Sequence, residues 1–174
     1  MTAFTHRYQP PEDRDDSGDS ERDPVTRESA IPGDDVGEPV VLVVDVANVM
    51  GSRPDGWWRD RAAAASRILT GLAGLSGERV VVPELGTVVC DRVVAVVEGR
   101  ARGVPGVGRV EVVRAEGAGD DAVVTVVLRT VRAGRIPLVV TADRGLRARL
   151  PEGAVTVGPR WLRDLVDAAW PGGD

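Results

Sequence analysis

The stretch Val40-Val41-Leu42-Val43-Val44-Asp45-Val46-Ala47-Asn48-Val49-Met50-Gly51 constrains this chain more than any other part of it. Six of its first seven residues are apolar, and five of those are valine. A β-branched run without polar alternation reads as a strand buried on both faces, as in a parallel sheet covered by helices. Asp45 falls where that strand should leave the core. An ionised carboxylate there is costly unless it is paired, hydrogen-bonded or bound to a metal. Asn48 follows three residues later, ahead of the turn-forming run Gly51-Ser52-Arg53-Pro54-Asp55-Gly56. In open α/β sheets, ligands bind in the crevice at the carboxyl ends of the strands. The strand thus delivers an acid and an amide toward a site, although Asp45 taken alone also serves as a cap for the turn.

Charge is unevenly spread along the 174 residues. Residues 1–38 hold eleven acids against four arginines, a net of −7, whereas residues 39–174 hold sixteen acids against eighteen arginines, a net of +2. The first segment is rich in Asp, Glu, Ser, Pro and Gly and cannot bury enough apolar surface to offset its ordering entropy. It reads as a disordered acidic tail, either a solubilising leader or an electrostatic mimic of nucleic acid. Residues 39–174 read as one mildly basic domain with room for a real core, a charge that suits a phosphate-bearing partner.

The single cysteine, Cys90, excludes a disulfide framework and a Cys-based zinc site within one chain. The single histidine, His6, lies in the tail, which argues against a histidine base, a Ser-His-Asp triad or a His-ligated metal. Metal or acid–base chemistry therefore falls to carboxylates, which favour hard ions such as Mg²⁺ or Mn²⁺. No charged start with an apolar run and no membrane-length stretch is present, so no membrane association is expected and the cytoplasm is the expected location.

Strand and helix then alternate. A crossover helix is expected over about 58–75, with Trp57 and Trp58 at its start either stapling it to the core or stacking on a base. Residues 78–90 read as a small hairpin or excursion, with Cys90 a buried apolar residue. Arg92–Val97 repeats the first strand and ends in Glu98. Arg100 and Arg102 follow, either gripping phosphates or lying in a solvated turn. A third strand, 110–114, leads through a glycine-rich loop into a helix starting near Asp120, whose adjacent acids Asp120 and Asp121 exceed what a cap requires. A fourth strand, 136–143, ends in Thr141 and Asp143. A short basic helix over 144–150, a short strand over 154–158 and a helix over 160–170 complete the chain, with Pro159 well placed at the last helix's first position.

Such alternation predicts a mostly parallel sheet with right-handed crossovers. In a doubly wound order 3-2-1-4-5, the first and fourth strands lie side by side at the switch point. Asp45, Asp143 and the Asp120-Asp121 pair then converge on one crevice, with Glu98 at its margin. Carboxylates that close cannot all stay ionised without a cation, because like charges raise one another's pKa. A divalent metal resolves the conflict; chance placement of polar loop residues is the other reading.

The set Val-Asp45-x-x-Asn48, Gly-Asp120-Asp121 opening a helix, and Val-Thr141-Ala-Asp143-Arg-Gly-Leu resembles the NYN (YacP-like) branch of the PIN-like nucleases, over roughly residues 40–170. The Thr-x-Asp after an apolar strand is the most specific of these motifs. This resemblance implies a Rossmann-like, PIN-type three-layer α/β sandwich, a Mg²⁺- or Mn²⁺-dependent site, and hydrolysis of RNA phosphodiester bonds. Carried over by position, Asp45, Asp120 and Asp143 would ligate metal, Asn48 and Thr141 would orient ligands or water, and Asp121 would be a further ligand or a partner of one. Two departures stand out: Val46 follows Asp45 where many relatives have glycine, and Glu98, a further candidate metal ligand, stands where relatives often have aspartate. Arg53, Arg100, Arg102 and Arg144 are the candidates for substrate phosphates. The same acids would also serve a nucleoside triphosphate pyrophosphohydrolase, although no P-loop is present, and a non-catalytic RNA-binding module is a third reading. A homodimer is left open.

Overall fold

The computed structural model describes residues 37–53 and 56–169. The tail expected over 1–38 lies, but for its last two residues, outside the described residues, as do Pro54, Asp55 and Trp170. Those last two belong to the folded domain: Gly37 is buried and Glu38 opens the first strand.

The chain runs β1 (Glu38–Asp45), α1 (Val46–Gly51), α2 (Arg61–Ala73), β2 (Arg79–Val82), β3 (Gly86–Val97), a 3-10 turn (Gly99–Gly103), β4 (Val110–Arg114), α3 (Gly119–Arg132), β5 (Ile136–Val140), α4 (Arg144–Ala148), β6 (Val155–Val157) and α5 (Pro159–Ala169). The fold is α/β, with a six-stranded mixed sheet flanked by helices. Its parallel pairs place the strands in the order β4-β3-β1-β5-β6. This is the 3-2-1-4-5 order expected of the core strands. The sheet is not parallel throughout, because β2 pairs antiparallel with the first residues of β3. Residues 78–90 supply that hairpin, turned by Pro83-Glu84-Leu85 and by Gly86 at φ 73°. Trp161 Nε1 donates to Val81 O at 3.0 Å and ties the hairpin to α5.

The valine run of β1 is buried because helices cover both faces. Val40, Leu42 and Val44 pack with α1, α2 and α5, while Val41 and Val43 pack with α3 and with Leu146 of α4. Fully burying each such side chain contributes roughly 1.5–3 kcal/mol. Two short elements were not expected: α1, between the first strand and the turn-forming run, and the 3-10 turn after Glu98. Strand β3 is also longer than expected, continuing through Cys90. It absorbs one extra residue at a bulge, where Val40 faces Cys90 and Val41 faces Arg92, leaving Asp91 between them.

Register positions the site. Val44 stands level with Val140 and Asp45 with Val96. The residues that follow β5 and β3 therefore emerge on either side of Asp45.

Candidate functional site

Asp45 ends β1 and caps α1, its Oδ1 accepting the Asn48 N–H at 3.1 Å. Its Oδ2 accepts from the Thr141 hydroxyl at 3.2 Å. Thr141 is completely buried and also accepts the Asp143 N–H at 3.1 Å. Asp143 in turn caps α4, its Oδ1 accepting the Leu146 N–H at 2.9 Å. Asn48 Oδ1 accepts the Ala142 N–H at 2.8 Å. The β1–α1 and β5–α4 junctions are thus stitched to each other through side chains, which holds Asp45 and Asp143 at one place on the sheet edge.

Two more acids arrive from the other side. Glu98, just past β3, accepts the Gly119 N–H on Oε2 at 2.6 Å. Asp120 follows in the first turn of α3, with Arg149 Nη1 4.0 Å from its Oδ2. Asp45, Asn48, Ser52, Glu98, Asp120 and Asp143 line an open cleft of about 500 Å³ at the carboxyl ends of the strands.

The charges in this cleft oppose one another. Burial raises the Asp45 carboxyl above its ordinary 3.8, an effect that the hydrogen bonds from Asn48 and Thr141 partly offset and that the charges of Asp120 and Glu98 reinforce. Asp120 is also raised, first by burial and then by the Asp143 charge, against the pull of Arg149. The cleft therefore concentrates negative charge, with no basic side chain lining it among the described residues.

Of the expected residues, Asp45, Asn48, Asp120, Asp143 and Glu98 meet in this cleft, with Thr141 beneath it. Asp121 does not join them: its side chain is 72% exposed and pairs with Arg149. Successive helix residues are rotated by about 100°, so Asp121 leaves the helix in a different direction from Asp120. Arg53 turns away as well, hydrogen-bonding Asp167 of α5 at 3.2 Å. Arg102 folds back onto Gly99 O at 3.3 Å and Glu116 O at 3.5 Å. Arg100 and Arg144 are exposed, beside Glu98 and Asp143 in the chain. Ser52 and Gly119 line the cleft although their types carried no chemical signal; only the position of Gly119 before the acid pair marked it. Among the described residues, no three Asp, Glu, His or Cys side chains are arranged to hold one metal ion directly. Trp57 packs on the core under the Arg61 guanidinium, 5.1 Å from its ring centre, and Trp58 meets it edge-on while remaining 56% exposed. No helix among the described residues is long and apolar enough to cross a membrane.

No family model and no curated protein matches the sequence. Among solved structures, the chain is similar to Rae1 (YacP) from Bacillus subtilis, with 18% identity, a TM-score of 0.53 and coverage of 74% of each chain. A point mutant of the same protein aligns with 15% identity and a TM-score of 0.50, covering 74% of this chain and 76% of that one. The fold is therefore shared with YacP, whose name the family suggested by the motifs also carries.

Proposed function

We propose that the chain is a ribonuclease of the PIN-like type, hydrolysing RNA phosphodiester bonds in the carboxylate-lined cleft. The observation that carries this reading is the convergence of Asp45, Glu98, Asp120 and Asp143, from four separate junctions, on one crevice at the strand ends. The fold shared with YacP and the order of the parallel strands support it, and we extend both to a PIN-type sandwich. The donor set is all oxygen and mutually repelling, which fits a hard divalent cation such as Mg²⁺ or Mn²⁺. A hard cation bound in so open a cleft would keep several of its waters, as Mg²⁺ characteristically does. Asp45, Asp120 and Asp143 are the residues that would hold it. When bound, such an ion supplies an activated water and stabilises the leaving oxygen of a phosphodiester.

The chain's own groups have separate tasks in this reading. Thr141 and the Asn48 N–H fix both Asp45 oxygens, and Asn48 locks the loop that presents Asp143. Arg100 and Arg144, both exposed and close in the chain to Glu98 and Asp143, are the candidates for substrate phosphates. The inward contacts of Arg53 and Arg102 suit structural roles better.

The test is cleavage of a single-stranded RNA, with ATP hydrolysis run in parallel, in Mg²⁺, Mn²⁺ and EDTA. Wild type is compared with Asp143→Asn. RNA cleavage that needs the cation and is lost in the variant is the expected result. Pyrophosphate release from ATP with the RNA left intact would replace this reading with a pyrophosphohydrolase. RNA binding without turnover, equal in both proteins, would replace it with a binding module.

A further inference from the structure

Helix α3 carries Asp120 in its first turn, yet it has no side-chain cap of its own. The capping position is Ala118, which offers no acceptor. The first helical amide, that of Gly119, instead donates to Glu98 Oε2, from a residue 21 positions earlier at the exit of β3. A helix start leaves four amides without partners, and a carboxylate there is favoured both as an acceptor and by the helix dipole. The approach is close: a Cβ on residue 119 would lie 2.8 Å from the same oxygen, so a side chain there would displace the carboxylate. The loop before α3 is held a second time, where Arg102, on the turn after Glu98, reaches Glu116 O at 3.5 Å. Arg114 secures that turn by donating to Arg102 O at 2.9 Å and to Val104 O at 3.0 Å.

We infer that Glu98 is a positioning residue rather than a metal ligand: it caps α3 from across the sheet and thereby sets where Asp120 stands in the cleft. The work assigned to Asp120 rests on the proposed function, whereas the cap itself does not.

The test compares wild type, Glu98→Gln, Glu98→Ala and the double variant Glu98→Ala/Ala118→Ser. Melting temperature is measured in EDTA, and Mn²⁺ alone is titrated by electron paramagnetic resonance. Glutamine keeps a carbonyl acceptor and removes the charge. Glu98→Gln should therefore hold Tm within about 2 °C of wild type and Mn²⁺ affinity within about threefold, well short of the roughly 10–100-fold effects of disrupting a metal site. Glu98→Ala should lower Tm by roughly 3–6 °C. Adding Ala118→Ser gives α3 a local cap and should recover about half of that loss or more, a rescue that a missing metal ligand would not show. The inference is overturned if Glu98→Gln weakens Mn²⁺ binding about tenfold at unchanged Tm, or if Ala118→Ser recovers nothing. The Tm series decides the cap whether or not RNA is cleaved. Failure of the wild type to bind Mn²⁺ would count against the metal reading alone.

Discussion

Thr141 shows how much of the site depends on one buried hydroxyl. It donates to Asp45 and accepts from the Asp143 backbone, so the isosteric change Thr141→Val strands a carboxylate oxygen and an amide together. We expect a stability loss of about 1–3 kcal/mol by denaturant unfolding and an RNA cleavage rate lower by roughly 10–100-fold. Asp45 makes the opposite prediction for stability. Its carboxyl titrates above the ordinary 3.8, chiefly because it is buried. The folded state therefore holds that proton more tightly than the unfolded state. The resulting stability is full below the unfolded pKa and is lost as pH rises through the raised one, so at neutral pH the ionised group is a net cost. Asparagine caps helices as well as aspartate. Asp45→Asn should thus raise Tm at neutral pH in EDTA, a gain that shrinks as pH falls and the wild-type carboxyl takes up its proton. A Tm lowered at every pH would show that the carboxylate stabilises the fold.

Elements, unlike single contacts, were largely legible in the residues. The valine-rich strands announced themselves because burial on both faces removes polar alternation, and α3 did so because its apolar residues recur at helical spacing. Helix α1 was not legible, since six residues give no periodicity to read and its cap, Asp45, looked like a strand exit. The extent of β3 was hidden by Asp91, a charged residue that a bulge accommodates and that pairs with Arg135. Nor does spacing reveal that Glu98 meets Gly119, because that contact exists only once β3 and α3 are side by side. Packing between α2 and α5 gives a prediction at this scale. A Cβ on Gly71 would lie 2.7 Å from Val166 Cγ1, and valine in a helix has little rotamer freedom to give way. Gly71→Ala should therefore destabilise by about 1–3 kcal/mol despite its better helix propensity. Adding Val166→Ala should remove most of that penalty, as read by thermal melts of the single and double variants.

Across the whole molecule, the topology turns scattered acids into one cleft. The order 3-2-1-4-5 sets β1 beside both β3 and β5, and residues more than ninety positions apart become hydrogen-bonded partners. The convergence of Asp45, Asp120 and Asp143 was readable from two strand exits and a helix start once the order 3-2-1-4-5 was assumed, whereas the departure of Asp121 to Arg149 depended on helix rotation. Charge at this scale also bears on the partner. Residues 39–174 carry a net of +2 although several acids are gathered into the cleft, so the rest of that surface is more basic than the total suggests. RNA binding should therefore weaken linearly with the logarithm of salt concentration, with a slope of about −0.7 for each phosphate contacted; a flat dependence would exclude arginine contacts to the backbone. Metal-dependent cleavage in this cleft is tested most directly by the initial rate of RNA cleavage as Mn²⁺ is titrated, for wild type and for Asp45→Asn protein shown by its melt to be folded. The expected rate rises with Mn²⁺ in wild type, vanishes in EDTA and stays at background in the variant throughout. Equal cleavage by both proteins, or cleavage that persists in EDTA, would contradict it.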